Sequence, residues 1–312
     1  MLTAFRLAAP FLLLSACASP TFAAFDACRD FFPNQTPPRV ATSPGQLRDI
    51  CFDSFAVMHS GVSKTPVYVV ERMNRARLLD AQDEQRTDRF YEEGRLPSAH
   101  RARLDDYKGS GFDRGHLAPA ADMPNPNAMA QSFSLANIVP QASELNRGIW
   151  ARSVEAATRK FVMRSEGDVF VFTGAMFSEH PERIGADRVW VPSHLYKLVY
   201  DERANRAWAY WVENRDDATM GKPISYEQLV RAVGIAFLPG IAPSALAERG
   251  AVRVVPTHTQ PNANIASSSR CGDKRTCKQM ADCSEARHYL TACGVKSLDR
   301  DGDGVPCESL CR

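Results

Sequence analysis

The chain has 312 residues, 44% of them apolar, and a formal net charge of +2. That composition excludes a disordered protein and suffices for one substantial core plus a smaller unit. The near-neutral balance also excludes the strong positive field of a protein that coats DNA, so any nucleic-acid contact must be local.

In chain order the first segment is MLTAFRLAAPFLLLSACASPTFAA. One arginine precedes the apolar stretch Leu7 to Leu14 and small residues follow it, which is the order of an export signal. The apolar stretch is too short to span a bilayer, so no transmembrane segment is expected and residues 1–24 are set aside as a signal peptide. Two cleavage readings fit. Leu14-Ser15-Ala16-Cys17 reads as a lipobox that would make Cys17 a lipid anchor, and Thr21-Phe22-Ala23 suits ordinary signal cleavage. Either places the protein outside the cytoplasm: periplasmic, secreted, or an outer-membrane lipoprotein.

Nine cysteines leave eight once Cys17 is removed or lipidated. An even number in an exported chain points to disulfides. Cys28 and Cys51 stand near the start, whereas Cys271, Cys277, Cys283, Cys293, Cys307 and Cys311 crowd the end. The economical reading is one N-terminal bridge and three C-terminal ones. Zinc is the rival for the six, but no C-x-x-C pair occurs among them.

Residues 25–255 read as one mixed domain. TPVYVVERM and DVFVFTGAMF are β-branched and aromatic runs of strand length. VWVPSHLYKLVYD followed by ERANRAWAYWVEN reads as a hairpin turning at Glu202 to Asn205. Between them Leu145, Ile149, Val154, Ala157 and Phe161 recur at mostly helical spacing, which predicts a helix from about Glu144 to Arg164. A second helix is expected over Ser225 to Phe237. Strands, then a helix, then strands again give an α+β fold class. Residues 256–270 (PTHTQPNANIASSSR) are rich in Pro, Asn and Ser and read as a linker. Residues 271–312 form a small cysteine-dense module, and no internal repeat is evident.

The stretch SGFDRGHLAPAADM, residues 110–123, sets four polar or special residues side by side. They make a poor strand interior and would suit a site. His116 can take a proton from water because imidazole titrates near neutrality, although a lone histidine more often just bonds a loop. Arg114 offers a planar fork of donors that fits a phosphate, or an ion pair with a nearby acid. Gly115 allows close backbone approach or a turn. Asp113 is expected to orient the loop or the imidazole.

Asp113-Arg114-Gly115-His116, Asn137-Ile138-Val139-Pro140-Gln141 and Asn146-Arg147-Gly148-Ile149-Trp150 occur in that order, with Thr173-Gly174 and Tyr196-Lys197 beyond. In these blocks the chain resembles the DNA/RNA non-specific endonuclease family over most of residues 56–255. The resemblance implies a ββα-metal nuclease with a central antiparallel sheet, DNA and RNA as substrates, and Mg²⁺ or Mn²⁺ at the site. It also implies that Asn146 is the metal ligand, where local sequence alone suggests a helix N-cap. Phosphodiester hydrolysis needs an activated water and stabilised phosphoryl charge, which suits these residue types. Asn137 and Gln141 are expected to brace the loop, and Trp150 to be core.

One departure stands out. The family carries a glutamate eight residues after that asparagine, whereas here position 154 is valine and the acid is Glu155, nine on. At about 100° per residue a regular helix would turn Glu155 to the opposite face. A π-bulge between Trp150 and Glu155 would absorb the extra residue and restore Glu155 as a catalytic residue. The family also uses an upstream arginine on phosphate, for which Arg89 is preferred slightly over Arg86. Both could equally be solvated among Asp83, Glu84, Asp88 and Glu92.

Asp299, Asp301 and Asp303 alternate, followed by Gly304 and Glu308, like the front half of an EF-hand loop with its closing acid two residues early and no paired helix after it. With the six cysteines, this segment resembles the excalibur calcium-binding domain, which implies Ca²⁺ on those four acids and a disulfide-stapled fold. The expected function is an exported, metal-dependent, sugar-non-specific endonuclease. The alternatives are a narrower phosphodiesterase or DNase of the same fold, and a calcium-dependent envelope-associated binding protein with a degenerate nuclease site.

Overall fold

The computed structural model describes residues 25–245, 271–281, 283–299 and 305–311. The expected signal segment, Cys17, the linker 256–270 and the acids Asp301 and Asp303 lie outside the described residues, as does the side chain of Glu308. The chain divides into two units, with the division between residues 251 and 252.

The large unit is built on strands β1 Leu47–Cys51, β2 Ala56–Ser60, β3 Thr65–Met73, β4 Phe112–His116, β5 Ile138–Ala142, β6 Val169–Met176, β7 His194–Asp201, β8 Arg206–Glu213, β9 Ile224–Ser225 and β10 Ser244–Ala245. Their central sheet runs β9-β8-β7-β6-β3-β2-β1, all antiparallel, with the short β10 pairing parallel to β8. The expected hairpin is β7–β8, in register from His194 opposite Glu213 to Asp201 opposite Arg206.

Antiparallel strands usually alternate buried and exposed residues because one face meets water. Here β3, β6 and β7 are buried along nearly their whole length, because both faces are covered. Tyr68, Val70, Phe172 and Leu198 pack with Phe25, Phe32, Leu229 and Phe237 on one side. Val57, Val69 and Leu195 pack with Leu117, Phe133, Trp150 and Val154 on the other. The second face carries the motif residues. The first is closed by helix Tyr226–Val233, whose N-terminus is capped by Ser225 and whose end is set by Gly234 at φ 68°. It is shorter than the expected Ser225–Phe237 because only glycine adopts that left-handed turn readily.

Asp113 to His116 lie in a strand, contrary to the expectation of irregular chain. β4 pairs with β5, His116 opposite Ile138 and Asp113 opposite Gln141, as a separate two-stranded ribbon. A ribbon tolerates these residues because it has no long apolar interior to interrupt. A Cβ at Gly115 would lie 2.1 Å from the Gln141 side-chain oxygen, so the glycine is there for close packing. After β5 the chain enters Ser143–Leu145, a π-helix over Asn146–Glu155, and an α-helix over Ala156–Val162. Ribbon plus helix is the ββα arrangement.

Cys28 and Cys51 are bridged in the large unit. In the small unit the pairs are Cys271–Cys293, Cys277–Cys307 and Cys283–Cys311, around helix Cys283–Thr291 and a core of Met280, Ala286, Tyr289, Val295 and Leu298. His288 lies within 4.8 Å of Cys271 and Cys293, but those sulfurs are bonded to each other and cannot serve as thiolates. A four-residue helix, Glu308–Cys311, follows the acidic stretch, where no helix was expected. The bridges at Cys307 and Cys311 hold that short turn in place, so it needs little helical sequence signal.

Candidate active site

The ribbon and the π-helix border a cleft of about 580 Å³ whose lining includes Arg86, Phe90, Tyr107, Lys108, Phe112, Asp113, Arg114, Asn146 and Arg147. Strand alternation sends Arg114 and His116 to the same side of β4. Both reach Phe90: the Arg114 guanidinium stands 4.4 Å from its ring centre and the His116 ring 5.4 Å away. Arg114 remains exposed, whereas His116 is buried behind that aromatic wall with Phe133 edge-on at 4.9 Å. Its Nε2 is enclosed without a hydrogen-bond partner. Burial, with the Arg86 cation adding to it, pushes the imidazole pKa down to about 3.

Of the two upstream arginines, Arg86 lines the cleft. Its guanidinium lies 5.1 Å from the Phe133 ring centre and its Nε donates to Asp88 at 2.6 Å. Arg89 is exposed and is not part of the lining. The preference for Arg89 therefore gives way to Arg86: only Thr87 and Asp88 separate them in irregular chain, and sequence carries no signal for which one borders the cleft.

Asp113 organises the helix start. Its carboxylate accepts hydrogen bonds from Ser143 Oγ at 3.0 Å, from Asn146 Nδ2 at 3.0 Å, and from Arg147 Nε at 2.9 Å and Nη2 at 2.8 Å. Burial alone would raise its pKa, but these donors outweigh it and hold the carboxyl below the usual range. With Asn146 Nδ2 committed to Asp113, the amide oxygen has no described protein partner. Asn137 braces the loop as expected, accepting from Ala118 N at 2.9 Å and donating to Ala118 O and Ser132 O. Trp150 is core, 1% exposed.

The extra residue before Glu155 is absorbed by a π-helix that occupies the whole run from Asn146, not only the stretch after Trp150. Gly148, at φ −97° and ψ −108°, breaks the helical geometry inside that run, so the kink as well as the wider i to i+5 winding sets where Glu155 stands relative to Asn146. Glu155 is buried, and Arg159, one turn on, approaches it at 3.6 Å.

Four charged residues below the site were not foreseen. Glu71 of β3 and Lys197 of β7 rise from the middle of the sheet, while Asp122 and Arg159 come from the covering layer, joined at 2.9 Å. Together with Glu155 they form a buried layer of three acids and two bases. Burial raises the Glu71 pKa well above the carboxylate range, and Asp122 adds to the shift. Burial also raises Glu155, with Lys197 and Arg159 opposing. The signal was present in TPVYVVERM and SHLYKLVYD, which set Glu71 and Lys197 directly after or between apolar strand residues.

Comparison with known proteins gives the family and the fold. The sequence model of the DNA/RNA non-specific endonuclease family matches residues 34–244, and that of the excalibur calcium-binding domain matches residues 274–308. Mitochondrial nuclease EXOG of Xenopus laevis is 34% identical over 204 residues, covering 59% of this chain and 56% of its own. Human mitochondrial endonuclease G is 31% identical over 230 residues, 68% of this chain and 75% of its own. The chain thus spans little more than half of the EXOG relatives' length. A solved EndoG/EndoGI complex shares the fold at a TM-score of 0.56 and 24% identity, covering 62% of this chain and 87% of that one.

Proposed function

Because the chain belongs to the DNA/RNA non-specific endonuclease family, we propose that it hydrolyses phosphodiester bonds of DNA and RNA in the cleft between the β4–β5 ribbon and the π-helix. The observation that carries this reading is the convergence on one cleft of two guanidiniums suited to phosphate, Arg86 and Arg114, with Asn146, whose amide oxygen has no partner among the described residues. Contacts of that kind read backbone, not bases, so the enzyme should be tolerant of sequence.

The family implies a divalent cation, and the donors fit one. Asn146 Oδ1 is a neutral oxygen ligand, and Glu155, nine residues on in the same kinked run, is the acid that would hold metal-bound waters, a sparse oxygen set that suits Mg²⁺ or Mn²⁺. Such an ion would neutralise phosphoryl charge and assist the departing oxygen. The protein supplies the rest. His116 is neutral at physiological pH and accepts the proton of the attacking water. A pKa of about 3 makes a weak base, but a phosphate anion entering beside Phe90 would raise it toward the useful range. Arg114, steadied on Phe90, and Arg86 hold the phosphate, and Asp113 fixes Asn146 through its amide nitrogen.

The small unit is proposed to bind Ca²⁺ through Asp299, Asp301, Asp303 and Glu308, supported by its match to a calcium-binding family. Export is proposed on the N-terminal segment and the four bridges, which require an oxidising compartment. Cys17 as a lipid anchor belongs to the same proposal. The test incubates purified protein with supercoiled plasmid and with single-stranded RNA. Mg²⁺ should support cleavage of both. Chelation with EDTA, and separately His116→Ala, should each lower the rate by roughly 10²-fold or more. Cleavage that survives both treatments would overturn the mechanism.

A further inference from the structure

Lysine is among the residues least often fully buried, yet Lys197 is 1% exposed. Its stem leaves the centre of β7, between β6 and β8, and its ammonium meets the two parts of the site from below. Nζ donates to Thr173 Oγ1 on β6 at 2.6 Å and to the carbonyl of Leu117, the residue after His116, at 3.4 Å. It also lies 5.8 Å from the ring centre of Trp150, inside the π-helix, and acts electrostatically on Glu155 at the end of that helix. One charge therefore touches the rigid sheet, the chain leaving His116 and the helix that bears Asn146.

We propose that Lys197 is a positioning residue that ties the His116 strand and the Asn146–Glu155 helix to the central sheet, and so sets the spacing of the two halves of the active site. The proposal rests on the assignment of His116, Asn146 and Glu155 made above. Asn214, just past β8, ties the other end of the ribbon to the sheet, accepting from Ala142 N at 2.9 Å and donating to Pro140 O at 3.0 Å, and packing alone tolerates small slides at the His116 end. A fixed donor on a strand with neighbours on both sides does not.

The test uses the full-length protein and two substitutions. Lys197→Met removes the charge at similar length, and Thr173→Val keeps the lysine but deletes its shortest bond with little change of shape. kcat and KM on plasmid are measured with Mg²⁺, referred to the folded fraction, and Mn²⁺ affinity is measured by calorimetry. Lys197→Met should lower kcat about tenfold to 10²-fold, since sub-ångström to ångström misplacement costs that much, with KM within about twofold because Arg86 and Arg114 are untouched. Mn²⁺ should bind several-fold more weakly. Thr173→Val should move kcat the same way by a smaller factor, and it decides the matter if the methionine variant does not fold. Unchanged kcat per folded molecule, or a rise in KM alone, would overturn the proposal, and unchanged Mn²⁺ affinity would remove the helix half of it. His116→Ala is run in parallel. If it is inactive while the Lys197 variant is normal, only the positioning role fails, whereas an active His116→Ala removes the site assignment itself.

Discussion

The two units of this chain solve the same problem by opposite means. The large unit covers both faces of a sheet, buries side chains as large as Trp150, Tyr68 and Tyr196, and uses one bridge, Cys28–Cys51. The small unit has a core of a few residues around Tyr289 and uses three. A short chain cannot bury enough apolar surface to offset its conformational entropy, so covalent closure does what packing does elsewhere. The large core can therefore carry the liabilities that catalysis needs, a buried histidine and a buried layer of charge, while the small one cannot.

Reduction gives the largest expected effect. With its three bridges open, the small unit should unfold outright, losing its helix signal, because each native bridge in so small a fold contributes several kcal/mol. The large unit loses about 3 kcal/mol with Cys28–Cys51, whose span is 23 residues. It should stay folded at 25 °C and keep cutting plasmid. Nuclease activity and the module's helix signal disappearing together over one reductant titration would erase the distinction between the units.

Acid is the next discriminator, and it acts on the other partner. Burial holds His59 in the large unit down to about 4, against 6.5 for a free imidazole, and its Nδ1 has no partner. A depressed histidine adds stability that is complete above the unfolded pKa and is lost as pH falls, here between about 6.5 and 4. The loss is on the order of 3 kcal/mol by linkage. His116, pushed down to about 3, adds a further fall over the same range and below. In the small unit the shifted group is Glu285, lowered by Lys274 and by the Ala281 backbone amide, and its contribution is lost only as pH falls into the carboxylate range. Urea melts at pH 7, 5.5 and 4.5 should therefore weaken the large unit first, and His59→Gln should flatten part of that slope. Burial-raised Glu71 and Glu155 act in the opposite direction, so the variant decides: a slope unchanged by His59→Gln would contradict the burial of this imidazole.

Local chemistry was legible in the sequence, and distant partnership was not. TPVYVVERM, the β7–β8 hairpin and the number of bridges follow from composition and period, which are properties of neighbours along the chain. The π-helix was legible as a mismatch: nine residues from Asn146 to Glu155 where a regular helix needs eight. Motif residues Asp113, Arg114, His116 and Asn146 could be named, but the strand that holds the first three could not, because its partner is Ile138–Ala142 and its glycine answers to Gln141. Nor could the choice of Arg86 over Arg89, the screening of His116 by Phe90, or the gathering of Glu71, Asp122, Glu155, Arg159 and Lys197. Each of these depends on segments far apart in sequence that meet only when the sheet has formed.

The smallest expected effect sharpens the comparison most, because the same chemistry occurs in both units. Ser225 and Gln228 form a capping box on helix Tyr226–Val233, with Ser225 N donating to Gln228 Oε1 at 2.8 Å and Gln228 N to Ser225 Oγ at 3.2 Å. In the small unit Thr276 and Gln279 make half of such a box, Thr276 N and Oγ1 each donating to Gln279 Oε1 at 3.0 Å. Ser225→Ala removes a cap and Thr276→Ala removes the hydroxyl's bond to Gln279, each about 1 kcal/mol. The shift in Tm is that energy divided by the entropy of unfolding, which grows with the number of residues released. For the large unit, about 2–4 °C is expected, with plasmid cleavage unchanged, since this helix covers the face of the sheet opposite the site. For the small unit the same loss should move Tm further, because fewer residues are released and the bridges restrict the unfolded chain as well. Calorimetry resolves the two transitions in one scan. Equal shifts would mean that the small unit unfolds with an entropy as large as the big one's, and that its bridges restrain far less than their number suggests.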